Sequence, residues 1–200
     1  MSKDIDFKSI DNSMNIPRIG GESLLPNDIG WPVNPNGENL TFIMNLPTNF
    51  LNETHQFNYP EDKTISVFTT YNKGYFLDLI GYHGDEDELE GIKDGFTKVI
   101  MHSVGTLRNE SEFLIPAKEI ILGEEVVELD YFRGSLIGEN PVFLQNEQLA
   151  LGNYRFCLQI YEGDFPEEFG TIFNLGDSVG YLYLNEEVSE DIGLFFTQCT

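Results

Sequence analysis

Gly176-Asp177-Ser178-Val179-Gly180 has the G-x-S-x-G spacing of a serine-hydrolase elbow, where a strand-to-helix turn presents the hydroxyl to a histidine. The context does not suit that chemistry. Tyr181-Leu182-Tyr183-Leu184 alternates like a strand, and no histidine lies C-terminal to Ser178. The motif reads as a hairpin turn. His55, His83 and His102 are isolated, with neither H-x-x-x-H spacing nor a cysteine at ligand distance, so they read as surface or core-edge residues. Asp85-Glu86-Asp87-Glu88-Leu89-Glu90 gathers the carboxylates a hard cation prefers but lacks the EF-hand spacing around a glycine. Residues 84–91 are therefore expected to form an exposed acidic loop with room for one helical turn. Gly20-Gly21 opens no phosphate-binding signature and is expected to serve a turn closed to other residues. Trp31-Pro32 reads as packing over a core edge. These residues assign no catalytic group, cofactor or metal.

The elements that must position any site are short strands. Residues 40–46, 64–70, 74–80 and 96–104 are apolar segments bounded by Gly, Asn, Pro or charged residues, and 64–70 with 74–80 suggests a hairpin through Tyr71-Asn72-Lys73. Later strands are expected at 125–131, 154–161, 171–175, 181–185 and 193–198. Helical turns are expected at 48–53 and 146–151, and Pro116 would end any helix in 111–119. The segment 19–46 returns in worn form at 137–160, each copy running from Ile-Gly to an aromatic-bearing strand that ends in an amide and an aliphatic residue. The intervals from Gly20 to Gly138 and from Phe42 to Phe156 differ by only a few residues. This predicts a mainly β protein with a few short helices (α+β), built of two pseudo-repeated halves, approximately 16–105 and 134–200, packed as a single domain over 1–200.

Sixteen Phe and nine Tyr supply a core and favour strands. No apolar run reaches the roughly 20 residues of a membrane helix, and the polar, acidic start has no signal-peptide core, so a cytoplasmic protein is expected. Cys157 and Cys199 give no disulfide framework. The formal net charge is −23, from 34 acids against 11 Lys and Arg. Residues 156–200 hold no Lys or Arg at all, whereas their acids include Glu162, Asp164, Glu167, Glu168, Glu186, Glu187, Glu190 and Asp191. Such a field repels phosphate backbones and speeds encounter with a basic protein. These eight residues are the candidate partner contacts, with no nucleic acid or membrane as direct ligand.

Arg18-Ile19-Gly20-Gly21, Leu25-Pro26, Trp31-Pro32, Gly37 and the strand 40–46 together resemble the opening of the YwqG-like family. Phe156-Cys157-Leu158-Gln159-Ile160 is similar to that family's second amide-bearing strand, and 171–184 to its downstream strand, Gly-Asp turn and strand. Ser23 stands where the family usually carries proline, Asn45 stands for its first-half glutamine, and Asn140-Pro141 follows the second-copy pattern loosely. The resemblance implies a largely β fold with an internal repeat and, since some relatives lie near toxin loci, an immunity role. It supplies no catalytic residues.

The expectation is a non-enzymatic acidic protein-binding module, an immunity protein that neutralises a basic, nuclease-type toxin. The alternative is a small-molecule or metal-binding domain, or an enzyme, with its site between the halves, where Asn45 and Gln159 would line a cleft. A third reading, a housekeeping protein with ordinary acidity, needs no partner.

Overall fold

The run Thr41-Phe42-Ile43-Met44-Asn45-Leu46-Pro47 lacks the polar alternation of a strand with one wet face, so it must be covered on both sides. The computed structural model, which describes residues 2–11, 14–72, 74–126, 134–145, 149, 151–189 and 192–200, buries all seven in strand β3 (Thr41–Pro47). Among the described residues the other strands are β1 (Ser2–Ser9), β2 (Arg18–Ile19), β4 (Lys63–Thr69), β5 (Thr97–Ser103), β6 (Lys118–Val126), β7 (Leu136–Ile137), β8 (Tyr154–Tyr161), β9 (Val179–Asn185) and β10 (Gly193–Gln198). Among the described residues three short α-helices accompany them, α1 (Thr48–His55), α2 (Leu77–Ile80) and α3 (Glu86–Gly91), with further helical turns at Ile92–Phe96, Glu162–Asp164 and Glu167–Phe169. The protein is mainly β.

The strands form one antiparallel sheet in the order β10-β9-β8-β7-β1-β6-β2-β3-β4-β5. A four-stranded meander lies at each end, and the antiparallel pair β1 and β6 joins them. The sheet curls until it is nearly closed. Its outer strands meet where Thr97 Oγ1 donates to Phe195 O at 2.6 Å, and the chain after α2 bridges to β10 through Gly81 and Thr197. The main core fills the inside, with Ile43, Leu46, Ile65 and Val67 from one meander against Leu158, Ile160, Leu182 and Phe195 from the other.

The meanders share backbone detail. Register shifts between Phe42 and Met44 in β3 and between Phe156 and Leu158 in β8. Gly20 N–H donates to Ile43 O at 2.9 Å, and Gly138 N–H to Cys157 O at 3.0 Å. The glycines are required for different reasons. Gly20 has φ 63°, and a Cβ there would lie 2.6 Å from Pro116 O; a Cβ on Gly138 would lie 2.7 Å from Ser2 Cα.

Several sequence expectations change. Residues 74–80 are not the hairpin partner of β4: that partner is β5, and Leu77–Ile80 is helix α2. A short apolar run cannot by itself choose between strand and helix. Residues 171–175 form turns, in which Ile172 and Phe173 are fully buried plugs of the main core. Ser2–Ser9, in the polar start where no strand is expected, is the strand β1 beside β6 and β7. The helical turn at 48–53 is α1, which Gln56 closes at φ 58°. Residues 86–91 of the acidic loop form α3, capped by the Asp85 side chain. Residues 127–131 of the strand expected at 125–131, and 146–148 and 150 of the helix expected at 146–151, lie outside the described residues.

Candidate functional site

The amides singled out by the repeat are wholly buried and fully engaged. Asn45 Nδ2 donates to Asn15 Oδ1 and Ile16 O, both at 3.1 Å, while its Oδ1 accepts from Thr64 Oγ1 at 3.0 Å. Gln159 Oε1 accepts from Val142 N–H at 2.8 Å, and Nε2 donates to Gly134 O at 2.8 Å. Each amide pins a crossing segment onto the outer face of its meander. Main chain crossing a sheet face needs such partners, since a buried polar group left unpaired costs about 1–3 kcal/mol.

The acids of the last quarter are dispersed. Glu167 and Glu168 are exposed on the helical turn Glu167–Phe169, and Glu187 is exposed beyond β9. Glu186 is also exposed but is 2.5 Å from Arg155 Nη1, the residue just before the base-free segment. Asp164 is half-buried and accepts from Ser135 Oγ at 2.6 Å; burial raises its pKa. Glu162 turns inward and is 2% exposed, so it offers no partner surface. Burial pushes its carboxyl up to about 7, against the opposing pull of the main-chain N–H groups of Phe173, Ser178 and Asp177. Among the described residues its Oε2 has no hydrogen-bond partner. Glu190 and Asp191 lie outside the described residues.

The remaining chemical candidates are structural. Ser178 is buried and donates to Leu175 O at 2.6 Å, while position 180, in β9, suits glycine because a Cβ there would lie 2.4 Å from the Phe195 ring. His55 Nε2 is 3.1 Å from Gly138 O and 2.8 Å from Cys157 O, joining α1 to the second meander; burial lowers its pKa. His102 Nε2 lies 2.8 Å from Ser66 Oγ, a nucleophile-like pair that residue spacing does not suggest. Both residues are buried, 3% and 0% exposed, so no substrate reaches the hydroxyl. His83 Nδ1 lies 3.2 Å from Glu88 Oε1 at the start of the acidic helix. Among the described residues, no three His, Cys, Asp or Glu side chains are grouped to hold a metal ion.

A different set of residues comes together in space. Gly37, Glu38 and Asn39, then Tyr71 and Asn72, then Glu110, Ser111, Glu112 and Phe113 line a cleft of about 590 Å³. Three loops build it. The first turns tightly at Gly37 (φ 84°), with Asn34 Oδ1 accepting from the N–H groups of Asn36 and Glu38, both at 3.0 Å. The connector between β5 and β6 is fastened to it, since Asn39 Nδ2 donates to Glu110 O at 2.6 Å and Thr41 Oγ1 is 2.9 Å from Ser111 Oγ. The loop after β4 supplies Tyr71, whose ring meets Phe113 at 4.7 Å, and Phe76 and Phe169 each at 5.8 Å. Phe169, a buried residue from beyond β8, supports Tyr71 from behind rather than lining the cleft.

Glu38, Glu110 and Glu112 are exposed, Tyr71 and Phe113 are half-buried, and no base is among these lining residues. Lys73, next to Asn72 in sequence, lies outside the described residues. Exposed carboxylates around an aromatic floor can attract and orient a cation. Arg18 marks the other structural feature that residue spacing did not assign. It is wholly buried over the Phe42 ring and donates to Met14 O, Gly20 O and Glu22 O, with burial lowering its pKa to about 10 and nearby Glu22 opposing the shift.

A nearly closed antiparallel sheet with a polar, acid-rimmed cleft defines a class of body rather than a reaction. The chain belongs to the family described as a domain of unknown function, DUF1963, whose sequence model matches residues 17–162, from the start of β2 to just past β8, the cleft and both amides included. No curated protein matches it. Among the described residues no helix is long and apolar enough to cross a membrane.

Proposed function

We propose that this protein is a non-enzymatic, acidic protein-binding module, a YwqG-like cytoplasmic immunity protein that neutralises a basic toxin of the nuclease type. The observation that carries the reading is the cleft: three exposed glutamates and two half-buried rings with no base among the described lining residues, on a chain of net charge −23. A nuclease offers a cationic surface to its nucleic acid, and an acidic inhibitor gains encounter speed over that same surface. The exposed Glu167, Glu168 and Glu187 extend the negative field. The rival site between the halves is less well supported, because Asn45 and Gln159 are buried against their own main chain.

The same proposal treats the body as one domain of two copies of an ancestral unit, on the strength of the matched register shifts and glycine hydrogen bonds. The test is a pulldown from the native cell with the purified protein. A basic protein retained at low salt and released at high salt is the expected result. Recovery of no basic partner, even at low salt, contradicts the proposal.

A further inference from the structure

The cleft has the chemistry to receive one particular group. Glu38, Glu110 and Glu112 stand around its rim, and the half-buried rings of Tyr71 and Phe113 meet edge to face at 4.7 Å. The carboxylates do not converge at the spacing of metal ligands. They are distributed around a space of about 590 Å³, large enough for a side-chain-sized cation.

The protein's own arginines show how it accommodates a guanidinium. Among the described residues, Arg18 lies over Phe42 at 5.2 Å, Arg108 over Trp31 at 5.5 Å and Arg155 over Phe57 at 4.9 Å. Arg108 also pairs with Glu110 at 3.5 Å, and Arg155 with Glu186 at 2.5 Å. For Arg108 and Arg155, a ring under the guanidinium carbon and a carboxylate beside it is thus a repeated arrangement. The cleft offers ring and carboxylates with no arginine among its lining residues. A guanidinium fits this better than an ammonium, because its plane stacks on aromatic faces while its fork meets carboxylates two bonds at a time.

We propose that the cleft is a receptor for an arginine side chain presented by the basic partner, an inference that rests on the protein-binding reading above. Glu112 and Glu38 face the guanidinium, the Phe113 ring stacks against it with the inclined Tyr71 ring alongside, and Glu110, already beside Arg108, completes the negative rim.

The test titrates the isotope-labelled full chain with N-acetyl-arginine amide, and in parallel with the neutral isostere N-acetyl-citrulline amide. Tyr71 and Phe113 ring signals should shift saturably with arginine, at a Kd on the order of 1 mM for an exposed stacking and ion-pair site. Citrulline should bind at least about tenfold more weakly, as should arginine to the E38Q/E112Q variant. That variant keeps the side-chain shapes and an acceptor for the Asn34 amide, which now donates to Glu38 Oε2 at 2.9 Å. Phe113→Leu, which leaves the charges in place, should weaken arginine several-fold. Equal response to arginine and citrulline, or shifts confined to residues outside the cleft, overturns the proposal, as does unchanged binding in E38Q/E112Q. The two readings fail separately. A basic partner that binds E38Q/E112Q as tightly as the original chain removes the arginine receptor and leaves the protein-binding module standing. Arginine amide binding with no basic partner in the pulldown does the reverse.

Discussion

The outer faces of the two meanders differ although their backbones run alike. Over the first, Arg18, Asn45, Thr64, Ser66 and His102 form a buried polar layer beside a small cluster of Trp31, Leu40, Phe42 and Phe68. Over the second, Phe156, Tyr181, Tyr183, Leu194 and Phe196 fill the corresponding layer with rings. The pairing register places Ile100 against Ser66 and Phe196 against Tyr181, so those two residues occupy matching sites. The residues just after β3 and β8 match as well. Thr48 Oγ1 sits within bonding distance of Pro60 O (2.6 Å), ahead of β4, and Lys63 O (2.8 Å), at its start, whereas Glu162 receives main-chain N–H groups ahead of β9. One backbone plan therefore tolerates a polar or an aromatic filling, provided that each crossing segment has its main-chain partners satisfied.

The largest effect should separate the two layers. Phe196→Ala removes a wholly buried ring stacked at 5.6 and 5.7 Å on Tyr181 and Tyr183, and should cost about 3–5 kcal/mol in denaturant unfolding. Ile100→Ala, at the half-buried matching site, should cost no more than about 2 kcal/mol. Equal losses would mean that the layers carry equal weight.

The amides should instead behave alike. Asn45→Ala and Gln159→Ala each strand buried main-chain groups and should cost about 1–3 kcal/mol by the same unfolding measurement. A silent change at either position would break the correspondence between the halves.

Glu162 sharpens the contrast with Thr48 through pH. Its carboxyl is raised from 4.5 to about 7 by burial. Between those values the folded chain holds a proton the unfolded chain has released, so stability falls as pH rises through the window. Below it both states are protonated and the penalty disappears; above it the loss is complete. Glu162→Gln should flatten this component and gain on the order of 1–2 kcal/mol at pH 8 relative to pH 4.5. Thermal melts of the two proteins that run parallel across pH 4.5–8 would contradict the assignment. The smallest effect is expected at the cleft, where Glu112→Gln should leave stability within about 0.5 kcal/mol because the side chain is exposed.

Much of the sheet was legible because its strands are apolar runs between turn residues, as at 40–46, 154–161 and 193–198. β1 was not, because SKDIDFKS buries only Ile5 among its large apolar side chains and draws its place from hydrogen bonds on both edges. Residues 171–175 misled for the opposite reason, since Ile172 and Phe173 are core plugs carried on turns. The likeness of 19–46 to 137–160 drew attention to Asn45 and Gln159 as cleft residues, whereas their hydrogen bonds give them a latching role. Nothing in a run of acids distinguishes the buried Glu162 from the exposed Glu167. The cleft was least legible: its loops are ordinary polar turns, and only the folded sheet brings 37–39, 71–72 and 110–113 together.

The central claim is that a basic partner is drawn to this acidic body by charge. The most direct measurement is the association rate of the basic protein recovered in the pulldown, followed by stopped flow as salt is raised from about 10 to about 150 mM. Electrostatic steering predicts a fall of about tenfold or more in the association rate, with little change in dissociation. An association rate indifferent to salt would contradict it.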